Sequence, residues 1–186
     1  MFKLNSRFAP MAAASLALAL SLYTAGCTLD GGVTPSATPT PTPSHDTHQE
    51  ANAEAIEHMA EGPAKTLTAI ALDAADSEAP KVGSDHHRYD VTLVSSGSEM
   101  VGKVKFDSAE AGDYTFFLNA DVPLALKDAA GETVEIEETG GAIANSLIKQ
   151  HYVAELGVGS YYLHFGPTQE ASLSLVIEGG AHDHAH

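Results

Sequence analysis

Residues 103–119, KVKFDSAEAGDYTFFLN, hold two runs of alternating side chains on either side of a short polar stretch. In the first run Val104 and Phe106 stand opposite Lys103 and Lys105. In the second, Tyr114, Phe116 and Leu118 share one phase. A period of two marks a half-buried strand, because successive side chains of an extended chain point to opposite faces. The small and acidic residues between the runs are those that turn a chain.

The same period continues in both directions. Upstream lie TLTAIAL (66–72), HHRYDVTLV (86–94) and MVGKVKF (100–106). Downstream lie PLALKD (123–128), TVEIEE (133–138), LIKQHYVAEL (147–156), SYYLHFG (160–166) and ASLSLVIE (171–178). Short turns containing Gly, Asp or Asn separate them. Such spacing predicts an all-β fold: a single β-sandwich or jelly-roll-like domain over residues 65–179, with about eight or nine strands. In HHRYDVTLV the alternation places His87 in phase with Tyr89, Val91 and Leu93, as a core histidine, and His86 in phase with Arg88 and Asp90.

HDTHQEANAEAIEHMAEGP (45–63) reads instead as a short helix. Thr47 and Glu50 have the spacing of a capping box, and Gly62-Pro63 stops the run. Ile56 and Met59 are its only large apolar residues, so the helix is marginal in isolation. His48 and His58 do not share an i,i+4 face.

KVKFDSAEAGDYTFFLNADVPLALKDAAGETVEI (103–136) resembles the strand–turn pattern of bacterial pre-peptidase C-terminal-type domains. AELGVGSYYLHFGPTQEASLSLVI (154–177) is similar to their closing hairpin. The resemblance implies a sandwich fold and a noncatalytic binding module. It carries no site residues onto this chain.

Residues 1–26 read as a targeting segment. Lys3 and Arg7 precede the apolar run APMAAASLALALSLY (9–23), which is short for a membrane span. Thr24, Ala25 and Gly26 then lead into Cys27, the single cysteine of the chain. These residues resemble the bacterial lipoprotein signal, the lipobox, although Thr24 stands where that family usually has leucine. The resemblance implies that Cys27 is acylated and begins the mature chain. Each buried methylene of such an anchor contributes about 0.8 kcal/mol. TLDGGVTPSATPTPTPS (28–44) completes a Thr/Pro-rich tether over 27–44, expected to be disordered because its composition cannot bury apolar surface. Thr28, rather than an aspartate, follows the cysteine, which in a Gram-negative lipoprotein implies the outer membrane. The expected location is therefore the bacterial cell envelope, with the membrane engaged through lipid.

The chain has 186 residues and a net charge of −16, from 9 Lys and Arg against 25 Asp and Glu. That balance argues against nucleic acid, whose phosphates require basic residues. It also argues against electrostatic adhesion to anionic lipid. It suits cationic partners, metal ions among them, and the chain carries 10 histidines.

Three groups of histidines are candidates. In GGAHDHAH (179–186), His182, His184 and His186 alternate around Asp183, a pattern able to chelate zinc or copper. The region 180–186 is read as a His-rich tail, and His45 and His48 form a second cluster beside the tether. His151 and His164 lie either side of GVGS. A loop of even length sets them on one sheet face as a cross-strand pair with chelating reach, and an odd loop separates them. His86 or Asp85 completes a three-ligand site there if the strand over 86–94 is a neighbour. Solvated polar side chains are the alternative in each case. Ligation needs neutral imidazole, so affinity is expected to fade as pH falls through about 6.5.

No nucleophile elbow, H-E-x-x-H, P-loop or dinucleotide fingerprint is present, and a non-enzymatic role is expected. The expected function is a lipid-anchored envelope protein that binds zinc, or secondly copper, as a buffer or chaperone. Its expected partners are a metal transporter or another envelope protein. The competing expectation is a noncatalytic sandwich module that binds protein or glycan.

Overall fold

A computed structural model describes residues 46–179, with side chains from Gln49 onward. Cys27, the tether, His45 and the tail histidines lie outside the described residues. One helix, α1 (Asp46–Glu61), precedes twelve strands. These are β1 (Ala64–Thr68), β2 (Lys81–Val82), β3 (Arg88–Thr92), β4 (Val94–Ser96), β5 (Glu99–Ser108), β6 (Gly112–Leu118), β7 (Leu124–Asp128), β8 (Thr133–Val134), β9 (Glu138–Gly140), β10 (Gln150–Leu156), β11 (Gly159–Thr168) and β12 (Ser172–Gly179). The first sheet runs β1-β3-β12-β6-β10-β9. The second runs β2-β5-β11-β7-β8, with β4 also paired to β5. The fold is the all-β sandwich that the alternation predicts.

The alternating residues line its core. Tyr114, Phe116 and Leu118 of the first sheet pack in one cluster with Val104, Phe106, Leu163 and Phe165 of the second. Phe106 meets Tyr114 and Phe116 edge-on, at centroid distances of 5.1 and 5.9 Å. Each such pair contributes about 1 kcal/mol beyond simple burial.

More strands form than expected because single alternating runs cross between the sheets. HHRYDVTLV supplies β3 to the first sheet and, past Leu93, the start of β4 to the second. TVEIEE divides between β8 and the start of β9 in the same way. Gly102 makes room for one crossing. A Cβ there would lie 2.6 Å from the Ala69 methyl and 2.7 Å from a Leu93 methyl, too close for any side chain.

The segment around GVGS is also a crossing, and this corrects the expected pairing of His151 with His164. β10 pairs with β6 and β9, whereas β11 pairs with β5 and β7, so the two histidines belong to different sheets. A hairpin and an arch between stacked sheets bury the same rows. Tyr152, Ala154 and Leu156 face the core from one sheet, Leu163 and Phe165 from the other. Local alternation does not distinguish the two connections.

A second, smaller core lies on the outer face of the first sheet. Ala55 and Met59 of α1 pack with Phe117 of β6, Val176 of β12 and Ile148. β6 and β12 are therefore buried on both faces, which the near-continuous apolar runs TFFL and LVI reflect. Arg88 ties the helix end to the sheet by donating from Nη1 to the Met59 carbonyl at 3.1 Å. This docking supplies the stability that α1 lacks alone.

Candidate metal centre

The outer phase of β12 runs through Ser174, Val176 and Glu178. Val176 belongs to the helix-covered core. Two residues on, Glu178 is also buried, at 1 % exposure. On α1, His58 follows Ala55 by three residues and so falls on the stripe that faces the sheet, in the last turn. Its Nδ1 donates to Glu178 Oε1 at 2.7 Å.

The third member comes from the loop before β3. β3 and β12 run antiparallel with Tyr89 opposite Leu175. Continuing that register past the end of β3 sets His86 opposite Glu178. His86 has φ of 57°, a left-handed conformation uncommon outside glycine. Its ring meets that of His58 edge-on at 4.9 Å, and its Nδ1 lies 4.0 Å from Glu178 Oε2. Neighbouring Asp85 fixes the loop. Its carboxylate accepts from Lys65 Nζ and from the Tyr89 hydroxyl, each at 2.6 Å, and its carbonyl accepts from His87 Nδ1 at 2.7 Å. Burial raises the Asp85 carboxyl, but the hydrogen bonds from Lys65 and Tyr89, with the nearby His87, outweigh it and hold the group below its ordinary range.

His58, His86 and Glu178 can each offer a ligand atom, all within 4.8 Å of one another. Among the described residues no other set of three or more His, Cys, Asp or Glu side chains converges in this way. Glu178 is electrostatically costly as it stands. Burial pushes its carboxyl up, the hydrogen bond and charge of His58 and the charge of His86 oppose that, and Glu54 adds to it. Oε2 has no hydrogen-bond partner among the described residues. A buried carboxylate oxygen without a partner costs free energy that a cation would recover. Two imidazoles and one carboxylate form a donor set suited to zinc or copper. His58 and His86 line a cleft of about 430 Å³, together with Glu57, Glu61, Asp85 and His87. The three carboxylates there favour the approach of cations.

No family model matches the chain, and no curated protein matches it. The likeness to pre-peptidase C-terminal domains accordingly rests on the quoted residues alone. Function has to be read from the site itself.

Of the histidines expected to ligate, the structure brings His86 into the group. His151 stands two strands from β12, its ring stacked on Phe117 at 5.8 Å, with Nδ1 donating to the Gly141 carbonyl at 3.2 Å. It packs so closely over Gly140 that a Cβ there would lie 2.0 Å from the ring. His164 is on the outer face of the second sheet, opposite Lys103. Burial lowers its pKa, Lys103 and Lys127 lower it further, and Asp76 opposes them. His87 precedes β3 and lines the cleft instead of entering the core, because the extended period stops at the left-handed His86. His48 lies in α1 with its side chain outside the description, as are Cys27, His45, His182, His184 and His186 altogether.

His58 and Glu178 were not anticipated as ligands. Their signals were present but indirect. LVI, buried on both faces, implies a cover over the outer face of β12, and Glu178 shares the outer phase with Val176. The Ala55–Met59 stripe points that cover at the sheet and carries His58 with it.

Proposed function

We propose that this chain is a lipid-anchored envelope protein that binds a divalent transition metal, zinc first and copper second, through His58, His86 and Glu178. The observation that carries the reading is the Glu178 carboxylate: buried, bonded to one imidazole through Oε1, faced by a second 4.0 Å from Oε2, and without a hydrogen bond at Oε2 among the described residues. An incoming ion would take the place of the hydrogen between His58 Nδ1 and Glu178, the imidazole remaining neutral with its proton on Nε2 after exchange with solvent, and would neutralise the carboxylate. Because its ligands come from α1, the loop before β3 and β12, the ion also fastens the first element after the tether onto the sandwich. Such a role suits storage or delivery of metal at a membrane, with the Cys27 anchor and the tether holding the domain near its surface.

The test is isothermal titration of the full chain with Zn²⁺ and with Cu²⁺, beside His58→Ala. Binding at roughly micromolar or tighter, weakened about 100-fold or more by the substitution, supports the reading. Binding no tighter than roughly millimolar contradicts it. Partner capture that persists in chelator would then favour the protein- or glycan-binding module.

A further inference from the structure

The net charge of −16 describes the chain as a whole, and its distribution is uneven. Residues 46–179 hold seven Lys and Arg residues. Four of them, Lys81, Lys103, Lys105 and Lys127, belong to the second sheet. Their neighbours Val104, Phe106, Leu126 and Leu163 face the core, so the alternation turns these lysines to the outer face.

The strand register orders them. Lys81, Lys105, Tyr162, Lys127 and Thr133 form one row across β2, β5, β11, β7 and β8. Lys81 is exposed, and Lys105, Tyr162 and Lys127 are partly exposed. With strands about 4.8 Å apart, the row from Lys81 to Lys127 spans about 14 Å. Tyr162 is its centre, with a lysine on either side and Lys103 Nζ 5.9 Å from its ring centroid.

Lys103 is buried and fixed, donating to Asp76 Oδ1 at 2.5 Å and to the Ala74 carbonyl at 2.7 Å. It supplies charge and not contact. Lys81 and Lys105 share one carboxylate, Asp107, at 2.9 Å each. That group is 41 % exposed, and such surface pairs are weak, so both lysines can turn to a ligand. The carboxylates of Asp76 and Asp107 thus meet four ammonium groups. His164 on the same face registers the excess: beyond burial, Lys103 and Lys127 lower its pKa against the opposing Asp76.

An aromatic ring bordered by cations suits a sugar acid. The apolar face of the sugar lies on the aromatic ring, and its carboxylate meets the ammonium groups. In a linear polymer of sugar acids, one ring on Tyr162 places the carboxylates of its neighbours on either side, where Lys105 and Lys127 stand. A lipid surface fits less well. The large exposed hydrophobics among the described residues are Leu147 and Val158, neither in a strand of this sheet, so this face has nothing to insert among acyl chains.

We propose that the outer face of the second sheet docks an anionic polysaccharide of the uronate type, stacked on Tyr162 and held by Lys105 and Lys127, with Lys81 extending the contact. This surface is independent of the group around Glu178, which lies on the first sheet.

The test is isothermal titration of the full chain with oligogalacturonate in metal-free buffer, beside neutral dextran and phosphatidylglycerol vesicles. Oligogalacturonate is expected to bind more tightly than roughly millimolar, and dextran and vesicles are not. Tyr162→Ala is expected to weaken binding about 10-fold, and Tyr162→Phe to preserve it. Lys105→Gln and Lys127→Gln are each expected to lower the slope of log K against log salt by about one, a change that loss of packing alone does not produce. Lys149→Gln and His58→Ala are expected to leave affinity unchanged. Should Tyr162→Ala fail to fold, the lysine variants carry the test. Binding no tighter than roughly millimolar, equal binding of dextran, or salt slopes unaltered in both lysine variants would overturn the proposal. Vesicles bound in preference to oligogalacturonate would overturn it in favour of a lipid surface.

Discussion

The two outer faces of the sandwich both carry histidine, in opposite surroundings. On the first sheet, His58 and His86 meet a buried carboxylate beneath a helix, beside a cleft lined with Glu57, Glu61 and Asp85. On the second sheet, His164 lies opposite Lys103; burial disfavours its protonation, Lys103 and Lys127 add to that, and Asp76 opposes them. The same electrostatics disfavour any cation there. Both faces carry imidazole among the described residues, although the second sheet offers His164 alone. What separates them is the charge packed alongside, and that charge is set by which element covers which sheet.

The sharpest way to break the comparison is to remove the cover. Phe117 anchors the helix-covered face and is fully buried. Phe117→Ala is expected to cost about 3–5 kcal/mol in denaturant unfolding, against less than about 0.5 kcal/mol for His164→Ala. Equal costs would mean that α1 adds no second core. Zinc gives the next effect. At 100 times its Kd it is expected to stabilise the wild-type chain, His151→Ala and His164→Ala by about 2.7 kcal/mol, and Glu178→Gln not at all. Zinc stabilisation that survives Glu178→Gln would sink the assignment. Without metal the same substitution is expected to act in reverse. Burial disfavours the charged carboxyl more than His58 and His86 favour it, and Oε2 has no hydrogen bond among the described residues, so removing the charge should stabilise the chain by about 1 kcal/mol. Destabilisation of that size would show that the His58 ion pair serves packing and not ligation.

The smallest effect concerns pH. Burial, with Lys103 and Lys127, holds His164 below the usual imidazole range in the folded chain. Above a pH of about 6.5 both folded and unfolded forms are neutral at this residue. Below it the unfolded chain takes up a proton that the folded chain refuses, so stability falls with pH until the folded group titrates. His164→Gln is expected to flatten the stability profile between pH 7 and 5. An unchanged slope would contradict the lowered pKa that burial, with Lys103 and Lys127, gives His164.

Much of the architecture was legible in advance. Alternation around Phe106 and Phe116 gave the strands and the composition of the core, and Gly62-Pro63 gave the helix end. Sheet membership was not legible, because an alternating run is satisfied equally by a hairpin and by an arch between sheets. That is why His151 and His164, separated only by a short turn and two strand lengths, part company. It is also why His58, His86 and Glu178 were hard to assemble. His58 and Glu178 are 120 residues apart in sequence and meet only through the docking of α1 on β12. The left-handed turn at His86 carries only a weak residue-type signal, since a histidine stands where a glycine would be expected.

The most direct measurement is the anomalous scattering of zinc in crystals of the zinc-loaded chain. The account predicts a peak about 2.0–2.2 Å from ligand atoms of His58, His86 and Glu178. Zinc bound only at His151, at His164 or along the tail, with none beside Glu178, would contradict it.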